Sequence, residues 1–271
     1  MPDLAVEGLV HVYSEGEVRA LDTVDLHIAA GEHVALVGQN GSGKTTLVRH
    51  LNGLLRPTSG RVLIDGADAA SLTVAQLAAR VGLVFQDPDR QIFSGSVRGE
   101  VEFGARNVGL GTEARREAVQ RALRATGLEG QEATNPYDLG GARRKLLALA
   151  SVLAMETPVL VLDEPTTGQD AAGVERVREI VANAAASGRT VIAISHDMRF
   201  VAEGFERVVV MRDGRVILDG PPSVVFAAAS WAELGSTYLE PPRAAVVGDR
   251  LGLGSTPTDA DVVAGLGAAS G

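Results

Sequence analysis

The chain has 271 residues, and 45% of them are hydrophobic, so it can bury the core of one large α/β domain or of two small ones. Its formal net charge is −9, from 25 basic and 34 acidic side chains, which gives no general attraction to phosphate backbones, and we expect no nucleic-acid partner. It contains no cysteine, which excludes disulfides and thiolate metal sites.

The sequence predicts no segment for membrane insertion or export. The longest apolar stretch, residues 146–155, is too short for the roughly 20 residues that a helix needs to cross a bilayer. The first residues, MPDLAVEGL, lack the basic segment followed by an apolar one that begins a secretory signal. We therefore expect a cytosolic chain.

Apolar runs bounded by turn residues predict strands, and apolar residues at helical spacing predict helices. Strands are predicted at residues 4–12, 24–28, 34–37, 61–65, 81–86, 159–164, 190–195, 207–211 and 216–220. Helices are predicted at about 44–52, 73–80, 113–126, from about 142 onwards, and at 171–187. This alternation predicts an α/β fold with a parallel sheet.

The composition changes near the end of the chain. Pro241 and Pro242 mark a break, and residues 243–254 and 259–267 could form small amphipathic helices or be disordered. Of the two, we favour helices packed on a neighbour. We therefore expect one domain over residues 1–235, with a helical insertion at about 88–155, and a C-terminal appendage over 236–271.

The stretch VALVGQNGSGKTTL, residues 34–47, matches the phosphate-loop pattern GxxxxGK[ST]. Its glycines permit positive φ values and a close approach, so the backbone N–H groups can face a triphosphate at the start of a helix. Lys44 would bridge the β- and γ-phosphates, and the Thr45 hydroxyl would hold Mg²⁺. The competing interpretation is a glycine-rich turn with an incidental lysine. The predicted ATP-binding residues are Gly38, Gln39, Asn40, Gly41, Ser42, Gly43, Lys44, Thr45 and Thr46.

Polar residues follow three other apolar strands. Asp163 and Glu164 end one strand, His196 follows another, and Gln86 ends a third. Each alone is more often a turn, a cap or a structural group. Because parallel strands end at one edge of a sheet, together they predict a composite site. Asp163 would bind Mg²⁺, Glu164 would polarise the attacking water, His196 would contact the γ-phosphate, and Gln86 would join the metal or the water.

These residues, in this order and spacing, resemble the ATP-binding subunit of ABC transporters over about residues 4–235. The likeness includes Gln86 as the glutamine loop, VLVLDEPTTGQD at 159–170, and ISHD around His196. It implies a P-loop NTPase core with a parallel sheet, an N-terminal antiparallel β subdomain and a helical insertion subdomain. It also implies an ATP-hydrolysing enzyme with ATP and Mg²⁺ as cofactors.

The resemblance adds two site residues. Tyr13 follows the first strand, and from the sequence alone it is as consistent with core packing as with an adenine contact; the resemblance implies that it stacks on adenine. Asp170 would contact a second ATPase subunit. The motifs at 84–93 and 50–55 and the tail resemble the energy-coupling-factor group, the cobalt and vitamin importers. Membrane-embedded transporter subunits are the implied partners, with the chain peripheral on the cytoplasmic face of the cell membrane and the docking place near residues 89–93.

One segment departs from the family. The family signature LSGGQ closes over the ATP held by the other subunit, whereas this chain has Leu139, Gly140, Gly141, Ala142 and Arg143. The serine, the second glycine and the glutamine are absent. We therefore expect one degenerate composite site and pairing with a different, related ATPase chain in preference to self-pairing.

Two alternatives stay open at this point. A soluble ABC ATPase of translation or DNA repair usually brings two cassettes or a long coiled-coil insertion, neither of which is present. A regulatory subunit would bind ATP without turning it over, and intact Glu164 and His196 are evidence against that.

Overall fold

The computed structural model describes residues 1–13 and 18–269. The strands are β1 (Leu4–Tyr13), β2 (Val18–Ile28), β3 (His33–Val37), β4 (Ser59–Ile64), β5 (Ala67–Asp68), β6 (Val81–Val84), β7 (Val159–Asp163), β8 (Thr190–Ile194), β9 (Arg207–Arg212) and β10 (Arg215–Gly220). The helices are α1 (Lys44–Leu51), α2 (Val74–Ala78), α3 (Val97–Asn107), α4 (Thr112–Thr126), α5 (Gly141–Leu153), α6 (Ala171–Ala186), α7 (Met198–Gly204), α8 (Pro222–Val225), α9 (Trp231–Gly235), α10 (Arg243–Arg250) and α11 (Asp259–Ala269).

Two sheets organise these elements. The first is antiparallel, in the order β2-β1-β4-β5, and the second has the order β10-β9-β3-β8-β7-β6. In the second sheet β3, β6, β7, β8 and β9 run parallel, and only β10 is antiparallel to its neighbour. The predicted fold class is confirmed, with α3, α4 and α5 lying inside the range of the predicted helical insertion.

The parallel sheet separates two apolar cores. Along β3, Ala35 and Val37 belong to the core shared with α3–α7, whereas Val34 and Leu36 belong to the core shared with the antiparallel sheet and α1. Because both faces are covered, β7 and β8 are buried at every position, which explains their continuous apolar sequences. This packing places the carboxyl ends of β3, β7 and β8 side by side.

Except for β2, the predicted strand limits lie within two residues of those observed, and two of the differences have a clear physical reason. β2 begins at Val18 rather than Val24, because its polar first half pairs with β1 across register shifts that the residue pattern does not reveal. β6 ends at Val84 rather than Gln86, because the Phe85 N–H donates to the side chain of Gln91 (3.2 Å) instead of continuing the ladder.

The C-terminal segment contains the helices α10 and α11. Ala244 and Ala245 of α10 are buried, and the Thr256 hydroxyl donates to the Ala244 carbonyl (3.0 Å). Arg199 of α7 pairs with Asp259 of α11 at 3.1 Å. The structure therefore contains helices in the segment after Pro242, while residues 270 and 271 lie outside the described part. The division into a domain and an appendage stays a prediction. Within residues 1–13 and 18–269, no helix is long and apolar enough to span a bilayer.

Candidate functional site

The loop between β3 and α1 has the glycines that its shape requires. Gly38 and Gly43 have φ values of 145° and 102°, a region that side chains rarely adopt. An added Cβ at Gly43 would lie 2.5 Å from the Ala20 carbonyl oxygen, and one at Gly38 would collide with the carbonyl oxygen of Met211. These two positions need glycine for both conformation and space.

Lys44 lies inside this loop. Its side chain is buried, and Nζ donates to the carbonyl oxygens of Gly38 (2.7 Å) and Gln39 (2.8 Å) and to the Ser42 hydroxyl (3.1 Å). Burial lowers the pKa of Lys44, while Glu164 and Asp163 act in the opposite direction. The loop therefore concentrates one cation and a row of N–H donors at the start of a helix, which suits a phosphate chain.

Thr45 and Asp163 form the part of the site that could hold a cation. The Thr45 hydroxyl donates to Oδ2 of Asp163 at 3.0 Å. Asp163 is only 4% exposed, and its Oδ1 is buried without a hydrogen-bond partner among the described residues. Burial raises the pKa of Asp163, while the Thr45 hydroxyl lowers it. A buried carboxylate oxygen beside a hydroxyl is a donor set that fits Mg²⁺.

Glu164 and His196 lie next to each other. Nδ1 of His196 is 2.7 Å from Oε2 of Glu164, which also accepts a hydrogen bond from the Thr167 hydroxyl (3.1 Å). Glu164 is buried and has a φ of 53°. A residue other than glycine pays about 1–3 kcal/mol of backbone strain for this left-handed conformation, and such residues are concentrated at functional sites. The His196 side chain is 63% exposed, so it can reach a ligand. The contacts with Thr167 and His196 therefore hold the Glu164 carboxylate beside an accessible imidazole.

A cleft of about 460 Å³ joins most of the predicted residues. Its lining includes Tyr13, Asn40, Gly41, Ser42, Gly43, Lys44, Thr45, Thr46, Gln86, Asp163 and Glu164. His196 borders it through Glu164. Larger cavities exist, but the convergence of loop, carboxylates and imidazole identifies this one as the candidate site. Val18, Arg19 and Ala20 also line it, and no motif pointed to them because they belong to the missed first half of β2.

Tyr13 is not a core residue. Its side chain is 38% exposed at the cleft, and its hydroxyl lies 3.2 Å from the Thr46 hydroxyl. The ring contacts His11 edge to face at 4.6 Å, and His11 in turn contacts His50 at 4.7 Å. This buried histidine pair under the aromatic ring had no recognisable sequence signal.

The segment 139–143 lies outside the cleft. Leu139 is buried, but Gly140 to Arg143 are exposed at the first turn of α5. Gly140 is the N-cap residue and offers no side-chain acceptor. Asp170 also lies outside the cleft, as the N-cap of α6 with Oδ1 accepting from the Gly173 N–H (2.7 Å).

The structure adds Lys145 and Gln91, whose side chains the sequence analysis did not single out. Lys145 is buried and donates to the main chain of Glu164. The amide of Gln91 donates to the Ala148 carbonyl (2.7 Å) and to the Ser151 hydroxyl (2.9 Å). Both side chains join α5 to strand-end loops.

The parallel sheet, the phosphate loop and the strand-end carboxylates define a P-loop nucleotide-binding protein. The family model described as ABC transporter matches residues 21–167, more than half of the chain. The chain belongs to this family.

Three relatives illustrate the membership. The chain is 42% identical over 254 residues to the energy-coupling factor transporter ATP-binding protein EcfA2 of Symbiobacterium thermophilum, covering 92% of this chain and 88% of that one. It is 43% identical to a putative ABC transporter ATP-binding protein of Methanosarcina acetivorans, covering 89% of this chain but only 39% of that longer relative. The structure of cbiO1 from Clostridium perfringens, part of the ABC transporter complex cbiONQ, has a TM-score of 0.73 and 39% identity, covering 86% and 94% of the two chains.

A fourth comparison concerns the nucleotide. The ATP-binding cassette MJ0796, described as a dimer in a post-hydrolysis state bound to ADP and Pi, has a TM-score of 0.74 and 28% identity, covering 80% of this chain and 98% of that one. The predictions of an ABC-type ATPase and of ATP as the nucleotide are thus confirmed at the level of the family. Mg²⁺ and the individual site residues stay predictions.

Proposed function

We propose that the chain is the ATP-hydrolysing subunit of a membrane transporter of the energy-coupling-factor type, which takes up a metal ion or a vitamin. The similarity to EcfA2 over most of both chains and to cbiO1 supports the transporter type. The proposal of ATP hydrolysis rests on one observation, the convergence of Lys44, the Thr45–Asp163 pair and the Glu164–His196 pair at one edge of the sheet.

Different residues of the chain bind ATP and activate the attacking water. The loop N–H groups and Lys44 bind and orient the triphosphate, and Tyr13 stacks on adenine at the mouth of the cleft. Glu164 accepts a proton from a water aligned with the γ-phosphate, while His196 contacts that phosphate and holds the Glu164 carboxylate.

The metal would be held by Thr45 and Asp163, with Gln86 at the exposed end of the cleft as a third contact. When bound, Mg²⁺ neutralises phosphate charge. The orphan Oδ1 of Asp163 supports this assignment, because a buried carboxylate oxygen without a donor is stabilised by a cation.

A second ATPase chain would complete the site. The exposure of Gly140 to Arg143 at the first turn of α5 leaves this segment accessible to a partner, and Asp170 would contribute to the same contact. Without a serine at position 140, a hydrogen bond to the partner's ATP is lost. Such a bond to a charged oxygen contributes about 1.5–3 kcal/mol, or roughly 10–100-fold in the affected step. A partner with a complete LSGGQ is therefore favoured over a second copy.

The membrane subunits would dock in the groove beside residues 89–93, on the cytoplasmic face of the membrane. This groove has a volume of about 560 Å³ and lies between α2, β6, α3 and α5. Its walls include Phe85, Phe93 and Phe103, and Phe93 is 60% exposed. Phe93 contacts the half-buried Phe103 edge to face at 4.6 Å, and this aromatic pair, exposed at Phe93, supports docking of an apolar segment.

The test is to purify the chain alone, and together with a related ATPase chain that has an intact LSGGQ, and to measure ATP binding and hydrolysis. We expect slow hydrolysis by the chain alone and fast hydrolysis by the mixed pair. Equal rates would reject the heterodimer, and ATP binding without any single-turnover hydrolysis in the pair would indicate a regulatory subunit instead. Glu164→Gln in the pair should keep ATP binding and reduce hydrolysis at the site that this chain provides to the residual rate that remains without a base.

A further inference from the structure

The chain contains only two lysines, Lys44 and Lys145, against 23 arginines. Both lysines are buried, with exposed fractions of 7% and 9%. Lys44 belongs to the phosphate loop, but the reaction described above does not use Lys145. Burial lowers the pKa of Lys145, and the carboxylates of Glu164, Asp163 and Asp87 oppose this shift. Because burying an ammonium group costs desolvation free energy, we looked for a function of Lys145 in its contacts.

The contacts of Lys145 are with main chain. Nζ donates to the carbonyl oxygens of Glu164 (2.8 Å) and Thr167 (2.8 Å). These carbonyls bound the turn that follows β7, and a compact ammonium can donate to both at once. A planar guanidinium on a longer side chain has a different donor geometry, so arginine is not equivalent here.

This turn sets the direction of the Glu164 carboxylate. On one side, the Glu164 N–H donates to the Ile194 carbonyl (2.9 Å), and on the other side its carbonyl accepts from Lys145. Between these two anchors Glu164 keeps its left-handed φ of 53°. The Thr167 hydroxyl, which binds Oε2 of Glu164, belongs to the same turn. Lys145 therefore holds both the residue that carries the carboxylate and the residue that donates to it.

Lys145 also connects this turn to α5. One turn further along α5, the Ala148 carbonyl accepts from Gln91, and Ser151 accepts from the same amide. Gln91 and Ser151 line the proposed docking groove, and residues 145 and 151 are about 9 Å apart along a helix axis. A displacement of α5 would thus be transmitted to the Glu164 main chain through one side chain.

We propose that Lys145 is a positioning residue for ATP hydrolysis, which holds the main chain of Glu164 and Thr167 so that the Glu164 carboxylate faces the attacking water. The proposal rests on the proposed function, because it requires Glu164 to be the base. Lys145 itself does not touch the nucleotide cleft.

The experiment uses the full chain paired with its partner ATPase. Lys145→Met removes the donors and keeps an unbranched side chain, and Lys145→Arg keeps the charge. Thr126→Val is the control for loss of a buried hydrogen bond, since the Thr126 hydroxyl donates to the Ala122 and Leu123 carbonyls of its own helix. We expect Lys145→Met to lower kcat by about 10–100-fold with an ATP KM within about threefold of the wild type, because a misdirected base loses part of its contribution. Lys145→Arg should recover part of kcat, and Thr126→Val should leave kcat unchanged.

A double variant separates positioning from a general structural role. In the Glu164→Gln background, Lys145→Met should cause no further loss of residual hydrolysis, because the residue through which it acts is already disabled. An unchanged kcat in Lys145→Met, or a loss that multiplies with that of Glu164→Gln, would overturn the proposal. If Glu164→Gln itself left hydrolysis intact, the proposed base would be wrong, which is a distinguishable failure.

A measurement on the unaltered chain covers the case in which Lys145→Met does not fold. Because there are two lysines, selective ¹⁵N labelling of lysine gives two Nζ resonances, and Lys145→Arg identifies one of them. We expect slow exchange of the Lys145 ammonium protons with water. Exchange as fast as that of a free lysine would contradict the bonds to Glu164 and Thr167.

Discussion

Restoring the family signature at the first turn of α5 should raise ATP hydrolysis. Gly140 has φ −62° and ψ 157°, which any residue adopts, and a Cβ added there would meet no atom within 4 Å. Serine therefore fits at position 140 without strain. Its hydroxyl would fill an N-cap position that now has no side-chain acceptor. Ala142→Gly would complete the close approach to a partner.

The expected gain is in rate rather than in stability. A hydrogen bond from the new hydroxyl to the partner's γ-phosphate is worth about 1.5–3 kcal/mol, which corresponds to roughly 10–100-fold. Replacing glycine by serine at an N-cap adds only a few tenths of a kcal/mol, about 0.3, to folding. Glycine at position 142 costs up to about 1 kcal/mol because it lies in a helix. Thermal stability should therefore stay the same or fall slightly.

The assay is steady-state ATP hydrolysis by the purified chain alone, where both composite sites would be closed by this segment. The matched control is Gly140→Ala with Ala142→Gly, which differs from the test variant by one hydroxyl. We expect Gly140→Ser with Ala142→Gly to exceed that control by about 10–100-fold. Equal rates in the two variants would refute the role assigned to the missing serine.

Three further predictions concern the cleft and its surroundings. Gly43→Ala should abolish ATP binding in a titration, because an added Cβ would lie 2.5 Å from the Ala20 carbonyl oxygen. In the control Gly41→Ala, the added Cβ would meet no atom within 4 Å, so that variant should lose less affinity for ATP. Equal losses of affinity in the two variants would contradict this explanation. Asp163→Asn should raise the Mg²⁺ concentration needed for half-maximal hydrolysis, and an unchanged Mg²⁺ dependence would be evidence against the proposed metal site. Burial lowers the pKa of His50, so near neutral pH and below it the unfolded chain binds more protons at this side chain than the folded chain does. The free energy of unfolding should therefore fall as the pH drops below about 6.5, by up to about 1.4 kcal/mol per pH unit. Calorimetry from pH 7.5 to pH 5.5 should show a weaker pH dependence for His50→Gln, and identical slopes would exclude this group as the cause.

The parts of the site that could be predicted from sequence are those that depend on local chemistry. A loop that binds phosphate needs glycine at Gly38 and Gly43 and a lysine after it, and that spacing is visible in one dimension. Parallel strands end at a common edge, so Asp163 and His196 could be assigned to one site before their distances were known. In both cases a general rule of backbone geometry predicts the spatial position of a residue from its position in the local sequence.

The parts that could not be predicted depend on contacts between distant segments. Lys145 lies in a helix with an apolar stripe, and only the fold brings it to carbonyls 19 and 22 residues away. His11 and His50 meet across 39 residues between β1 and α1. The first half of β2 contains the charged residues Arg19 and Asp22, so the residue pattern did not predict a strand there, and this part of the strand forms by pairing with β1. Tertiary pairing overrides the local pattern in each case.

The central claim is that the loop around Lys44 holds the triphosphate of ATP. The most direct measurement is a titration of the full chain with ATP in the presence of Mg²⁺, comparing the wild type with Lys44→Ala. Lys44 would donate charge-assisted bonds to the phosphates, so its removal should weaken ATP binding by about 10–100-fold while the fold persists. An unchanged affinity for ATP in Lys44→Ala would contradict the account.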